Sequence, residues 1–181
     1  MNCTQILHGT SVDCSPALGG VKQVYLANYA DVESIQIADD KIVDIKMAAD
    51  AKFYTYAFRR GQASFTSTLT VADGGASSVA TDLNITFNKM ETAKRVEMSA
   101  LAVGELVGIV IDGNGTAFYL GKDFPITATA GTGETGATFS DANQYTITLQ
   151  DVSLTFPYEV KIAQDTTRDS QYVDLKSLIA G

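Results

Sequence analysis

The chain has 181 residues, of which 45% are hydrophobic, and its formal net charge is -8. That length and apolar content suffice for the core of a single domain. The acidic balance excludes a surface that coats nucleic acid, because such surfaces need basic side chains to displace counterions from phosphates. No stretch approaches the roughly 20 apolar residues of a membrane span and no export signal is evident, so we expect a soluble protein made without export.

Residues 1–20 contain glycine, serine and proline with few periodic apolar positions, which predicts an irregular amino-terminal arm. The arm holds both cysteines, Cys3 and Cys14, and the only histidine, His8. These residues supply at most three of the four ligands that a tetrahedral zinc site needs. A catalytic histidine also needs rigid support, which an irregular arm does not give. We therefore predict no catalytic residues, no metal and no cofactor, and free thiols at Cys3 and Cys14, with a bond between them that closes a loop as the alternative.

Residues 21–163 predict a mainly β domain. Apolar or alternating runs from Val21, at 32–37, at 42–47 and at 53–58 are typical of strands, and the acidic pair Asp39-Asp40 suits a turn. Arg59 and Arg60 follow the last of these runs. This basic pair is a candidate for an ion pair with another subunit, although a solvated strand end accounts for it equally well.

The most regular alternation in the chain lies between residues 63 and 88. Apolar side chains such as Phe65 and Leu83 alternate with polar ones, which predicts a long antiparallel hairpin with one face in water. The predicted wet face consists of Thr66, Thr68, Thr70, Asp82, Asn84 and Thr86. The connecting loop contains Gly74 and Gly75. Because strands of this length are long for a small domain, we expect the hairpin to protrude or to cross a wide sheet.

A helix is predicted over about residues 89–103. Asn88 and Glu91 have the spacing of a capping box, which marks a helix start. We expect Gly104 to end the helix in a left-handed conformation. The face predicted to pack on the sheets consists of Ala93, Val96, Ala100 and Val103, which recur at helical spacing.

After the helix, residues 106–120 predict a second hairpin turning at Asp112-Gly113-Asn114-Gly115, because asparagine and glycine tolerate the positive φ of tight turns. A strand at 124–129 and a glycine- and threonine-rich loop at 129–143 follow. Apolar residues then occupy odd positions in 145–149 and even positions in 152–156. This change of parity predicts a β-bulge near Gln150-Asp151.

Residues 164–181 predict a polar linker and a carboxyl-terminal arm whose apolar side chains need a surface, either their own core or a neighbouring subunit. The whole pattern predicts a mainly β fold, an antiparallel β-sandwich or partly closed barrel with one flanking α-helix.

The order of these elements resembles bacteriophage tail tube proteins, in particular those of phages infecting Bacteroidetes. The resemblance is carried by Gly19–Asn28, by SALAVGELVGIVIDGNGTAFYLGKD at 99–123 and by the strand Asn143–Leu149. It implies a virion structural protein, made in the host cytoplasm, whose hexameric rings stack into the DNA-ejection tube. It further implies no enzymatic step and no membrane, with copies of itself and other tail or neck proteins as partners. DNA is expected to pass without specific binding.

Under this interpretation, the wet face of the long hairpin would line the lumen, and the acidic balance would keep DNA from adhering to it. Long edge strands would join the subunits. Candidate contacts between subunits are Arg59, Arg60, Gly74, Gly75, Gly133, Glu134, Val173, Leu175, Leu178 and Ile179. The loops at 72–78 and 129–137 and the carboxyl-terminal arm are the candidates for contacts between rings.

Two alternatives remain open. Within the structural class, the chain would be a head-to-tail connector, whose rings never stack, or a capsid decoration protein. From a different class, it would be a monomeric β-sandwich that binds glycan or a cell surface.

Overall fold

The computed structural model of the chain describes residue 10 and residues 16–162 and 173–180. Cys3, His8, Cys14, most of the predicted amino-terminal arm and the linker at 163–172 lie outside the described residues. The predictions made for them stay predictions.

The described residues form a mainly β fold of two sheets with a short flanking helix, as the alternation predicts, and the sheets do not close into a barrel. The elements are β1 (Val21–Asn28), β2 (Val32–Ala38), β3 (Lys41–Met47), β4 (Tyr54–Tyr56), β5 (Ala63–Val71), β6 (Ser77–Asn88), α1 (Thr92–Val103), β7 (Leu106–Asp112), β8 (Ala117–Leu120), β9 (Thr127–Glu134), β10 (Gln144–Ser153), β11 (Tyr158–Val160) and the single turn α2 (Leu175–Leu178).

The large sheet has seven strands in the order β2-β3-β11-β8-β7-β1-β4, and the small sheet has four in the order β5-β6-β10-β9. All strand pairs are antiparallel except β11 with β3, which are parallel. This parallel pair contradicts the prediction that all strand pairs are antiparallel. The pair was not predicted because β11 is too short for the sequence to indicate its partner.

The main core lies between the sheets. Val24 and Leu26 of β1 and Val110 of β7 pack there with Leu83 and Ile147 of the small sheet, and all are buried. The alternate residues of β1 and β7 point to the other face of the large sheet, where Tyr25 and Ile109 join a second core. The large sheet is therefore covered on both faces, whereas the small sheet is covered on its inner face.

The predicted turns are confirmed. Asp39 and Asp40 link β2 to β3 with φ of 50° and 58°, the positive values that a two-residue hairpin turn requires. In the Asp112–Gly115 turn, the Asp112 carboxylate accepts hydrogen bonds from the amides of Asn114 (2.9 Å) and Thr116 (2.8 Å). These hydrogen bonds explain why an aspartate occupies the first position of this turn.

The helix is present, but the predicted buried face is wrong. Val96 and Val103 are 55% and 86% exposed, whereas Leu101 is buried and Met98 half-buried. The helix packs mainly along β9, where a methyl group at Gly131 would lie 3.8 Å from Met98 Cε. This narrow contact needs long side chains, so Met98 and Leu101 fill it instead of the alanines and valines.

The predicted helix ends also differ from the structure. Glu91 is the N-cap and makes no side-chain capping bond, while Gly104 is extended, with φ of -77°. The Lys94 ammonium instead lies 2.8 Å from the Glu91 carboxylate and 2.5 Å from the Asn88 carbonyl oxygen. Lys94 therefore holds the Glu91 carboxylate that a capping box would have directed at a backbone amide.

Two predictions after the helix are corrected. Six of the fifteen residues of the expected loop at 129–143 belong to strand β9, which pairs with β10 as far as Glu134. The expected bulge near Gln150-Asp151 is absent, because β10 pairs with β6 in unbroken register from Gln144 to Ser153. The only register shift of β10 is against β9, between Thr148 and Leu149.

The carboxyl-terminal segment packs on its own chain. Phe53 donates its amide to the Leu178 carbonyl (2.8 Å) and accepts from the Ala180 amide (2.9 Å), while the Val173 amide donates to the Lys161 carbonyl (2.8 Å). Val173 is 2% exposed within the second core. Among the described residues, neither helix has the length and apolar character needed to cross a membrane.

Candidate functional site

The outer face of the small sheet is a continuous polar surface, called here the polar face. It carries all six residues predicted to line a lumen. Thr66, Thr68 and Thr70 are exposed, whereas Asp82, Asn84 and Thr86 are half-buried by their neighbours. The burial of the intervening residues Leu83, Ile85 and Phe87 in the main core fixes this orientation.

Strand β10 extends the polar face by three residues that were not among the six predicted from the sequence. Thr146, Thr148 and Gln150 stand directly opposite Thr86, Asn84 and Asp82. The alternation of threonine with Ile147 and Leu149 was the signal that could have identified them. The register could not be read from the sequence, since β10 lies about 60 residues beyond β6 along the chain.

Side-chain hydrogen bonds cross the polar face from strand to strand. The Gln150 side-chain amide donates to the Asp82 carboxylate (2.7 Å), and the Thr148 hydroxyl donates to the side-chain amide oxygen Oδ1 of Asn84 (2.7 Å). The Gln144 amide reaches the Glu134 carboxylate on β9 (2.6 Å). Such cross-strand pairs hold the polar groups in place and stabilise the sheet.

The small sheet contains no positive side chain. Its strands, all of which the structure describes, include no lysine or arginine, whereas Asp82 and Glu134 lie on the polar face. A polyanion near this surface meets acidic and neutral groups only. These four strands therefore offer no cation that could pair with a phosphate group.

Both edges of the small sheet are free among the described residues, because β5 pairs only with β6 and β9 only with β10. Each pairing within the sheet is antiparallel, so the edge strands β5 and β9 run in opposite directions. A second copy placed alongside in the same orientation would therefore meet β9 with an antiparallel β5. The sheet can continue from copy to copy without a change of strand pattern.

The hydrogen-bond pattern shows which groups of β5 are free. The Thr86 amide donates to the Gln62 carbonyl (2.8 Å), and the register from Ala63 to Val71 is unbroken. In an antiparallel ladder the bonded positions alternate, so Thr66 and Thr68 bond to β6. The amide of Ser67 consequently points away from the sheet at its free edge.

At one end of the small sheet, the burial pattern of strand β10 is reversed, with polar side chains inside and apolar side chains outside. Asp151 and Ser153 are buried, at 2% and 8% exposure, whereas Val152 and Leu154 are exposed. The Ser153 hydroxyl donates to Asp151 (2.8 Å). Desolvation by burial raises the pKa of Asp151, against the opposing effect of hydrogen bonds from Ser153 and from the Gly121 amide.

This buried carboxyl predicts a pH-dependent stability. Because the pKa of Asp151 is higher in the folded than in the unfolded chain, its contribution is fully present at low pH and is lost as pH rises through the raised value. The unfolding free energy of the wild type should therefore fall, relative to Asp151→Asn, as the pH rises from about 4, the ordinary aspartate range, through the raised pKa of Asp151. Denaturant unfolding of both proteins over this range is the measurement. Parallel pH profiles would contradict the assignment.

The candidate intersubunit residues fall in different places. Gly74 and Gly75 form the exposed end of the β5–β6 hairpin, and Glu134 lies at the end of β9. Leu175, Leu178 and Ile179 pack beside Val173 on the second core of their own chain. Gly133 has a local packing role, because a methyl group there would lie 2.8 Å from the Tyr145 ring.

Arg59 and Arg60 are exposed between β4 and β5. Arg60 lines a cleft of about 430 Å³ together with Lys22, Phe58 and the glycine-rich segment Leu18–Gly20. Neither Arg60 nor Lys22 has an ion-pair partner among residues 16–162 and 173–180.

Within the same described ranges, no three histidine, cysteine, aspartate or glutamate side chains converge as a metal site requires. Comparison of the chain with protein-family models, with curated proteins and with solved structures found no match.

Proposed function

We propose that this protein is a self-assembling structural subunit of a phage tail tube, whose copies join through the small sheet into rings that stack around a DNA-conducting channel. A single observation carries the proposal: a polar face without lysine or arginine, bounded by free edge strands that run in opposite directions. Long unpaired edge strands are a disadvantage for a monomer, because they promote association with other chains.

The dimensions of the sheet agree with such a channel. Strands lie about 4.8 Å apart, so the four strands of one copy span about 19 Å of circumference. Six copies would then close a barrel roughly 37 Å across between backbones, and strand tilt widens it further. With the polar face inward, the channel wall would be hydrated and acidic. DNA would pass without adhering.

The hydrogen-bond pattern of β5 gives a direct test. Ser67→Pro removes the outward-pointing amide of the free edge and keeps the bonds to β6, so we expect a folded subunit that forms no rings. Ser67→Ala is the matched control, because it also loses the hydroxyl contact with Thr81 (2.7 Å) yet keeps the edge amide. Thr68→Pro, which breaks a bond to β6, should lower the unfolding temperature instead.

Negative-stain microscopy and thermal unfolding together measure the result. Rings or tubes from the wild type and Ser67→Ala, with folded monomers from Ser67→Pro, would support the proposal. A wild type that stays monomeric at high concentration would refute it. Rings that never stack would favour a head-to-tail connector.

A further inference from the structure

The β5–β6 hairpin extends beyond the core of the sandwich. Leu69 and Val71, on the inner side of β5, are 50% and 64% exposed, whereas Ala63 at the other end of the strand is buried. The turn beyond them, Ala72–Ala76, is closed by amide-to-carbonyl bonds of 2.8 Å and contains Asp73. This segment, residues 69–76, is called here the tip. The tip therefore carries the exposed apolar side chains of Leu69 and Val71 next to the acidic side chain of Asp73.

The cleft at the base of the same strand has complementary chemistry. Phe58 and Leu18 form apolar walls, and the cations of Lys22 and Arg60 lie at its border. The chain as a whole is acidic, with 21 acidic and 13 basic side chains. Lys22 and Arg60 are nevertheless exposed and have no ion-pair partner among the described residues. The cleft is therefore electrostatically complementary to an acidic group.

The cleft is preformed rather than dependent on a partner. The Gly113 amide donates to the Gly20 carbonyl (2.9 Å), and the Leu18 amide donates to the Asn114 side chain (2.7 Å). These bonds tie the glycine-rich wall to the turn between β7 and β8. A preformed wall lowers the ordering cost of binding.

The tip and the cleft lie at opposite ends of β5. The nine residues of the strand separate its ends by about 26 Å, so the tip cannot reach the cleft of its own subunit. A contact between one surface and a different surface of an identical copy is heterologous, and it either closes a ring or propagates along a line. Along the strand direction, that line passes from ring to ring.

We infer that the tip of one copy inserts into the cleft of the copy above or below it, with Leu69 and Val71 against Phe58 and Asp73 beside Lys22 and Arg60. This inference rests on the proposed function and identifies the contact that stacks rings into tubes. The bound partner is a second copy of this chain.

Charge reversal tests the pairing between different copies. Asp73→Lys places a cation against the basic cleft, and the double variant Lys22→Glu/Arg60→Glu places anions against the acidic tip. Because like charges facing each other across an interface are strongly unfavourable, each variant alone should form rings but need at least about tenfold more protein to form tubes. All three positions are exposed, so unfolding temperatures should stay near that of the wild type.

Mixing preformed rings of the two variants is the decisive step. A lysine tip then meets a glutamate cleft and an aspartate tip meets the native cleft, so tubes should return near the wild-type concentration. Microscopy and sedimentation measure the tubes. Tubes formed by either variant alone as readily as by the wild type, or no rescue on mixing, would overturn the inference.

The inference and the proposed function fail separately. If Ser67→Pro prevents ring formation but the charge reversals leave the stacking of rings unchanged, the ring proposal stands and the tip–cleft contact is wrong. If the charge reversals abolish the rings themselves, the contact belongs to ring closure and not to stacking. Occupation of the cleft by residues 1–15 of the same chain would make mixing ineffective, which also counts against the inference.

Discussion

If the chain forms tubes as proposed, lysine at both Thr66 and Thr68 should make those tubes retain DNA, which the wild-type tubes should release. Both side chains are exposed on the polar face and belong to a sheet without lysine or arginine. The double variant adds two positive charges per subunit, hence about twelve per ring of six, and each phosphate neutralised releases a counterion. We expect DNA to co-sediment with assembled variant tubes at low salt. The bound fraction should fall steeply as salt is raised.

The control for this experiment adds the same two charges elsewhere. The Ala102 variant, Ala102→Lys together with Ala93→Lys, places both lysines on the exposed side of α1, outside the small sheet, and should leave DNA in the supernatant. A second control, Thr66→Gln with Thr68→Gln, matches the size change without charge. If the Ala102 variant retains DNA as well as the double lysine variant, the polar face does not line the channel.

Removal of residues 173–180 should destabilise the subunit itself by about 3 kcal/mol or more. The deletion uncovers Phe53, which is 0% exposed, removes the buried Val173 and leaves both backbone groups of Phe53 without their present partners. Thermal or denaturant unfolding of the monomer measures the loss. Val173→Asp should approach the same effect, since it buries an unpaired charge in the second core.

Lys176→Ala is the matched control for the carboxyl-terminal segment. Lys176 is exposed in α2, so its truncation should change stability by less than about 0.5 kcal/mol. An unchanged unfolding free energy after deletion of 173–180 would mean that the segment packs elsewhere, for instance on a neighbouring subunit as the sequence analysis also allowed. Assembly assays on the truncated chain would then separate the two cases.

Much of the polar face was predictable, because the alternation of side chains in a strand shows which residues share a face. Side chains alternate with a period of two, so Leu83, Ile85 and Phe87 assign Asp82, Asn84 and Thr86 to the other face without any knowledge of the fold. The contribution of β10 was not predictable in the same way. Its register against β6 depends on contacts between segments far apart in the chain.

The helix and the end of β10 show where local pattern fails. Ala93, Val96, Ala100 and Val103 form the more regular apolar face, yet the available contact is a narrow strip beside Gly131 that only longer side chains fill. In β10, apolar Val152 and Leu154 favoured a bulge that would turn them inward. The unbroken ladder with β6 instead keeps Asp151 and Ser153 inside.

The sequence by itself determined most of the strands, their tight turns and the two faces of the long hairpin, because these depend on backbone preferences and on neighbours within a few residues. Only the tertiary structure decided the strand order, the free edges of the small sheet, the buried side of α1 and the burial of Val173. These features depend on which surfaces meet, and a surface acquires a partner only when distant parts of the chain are brought together.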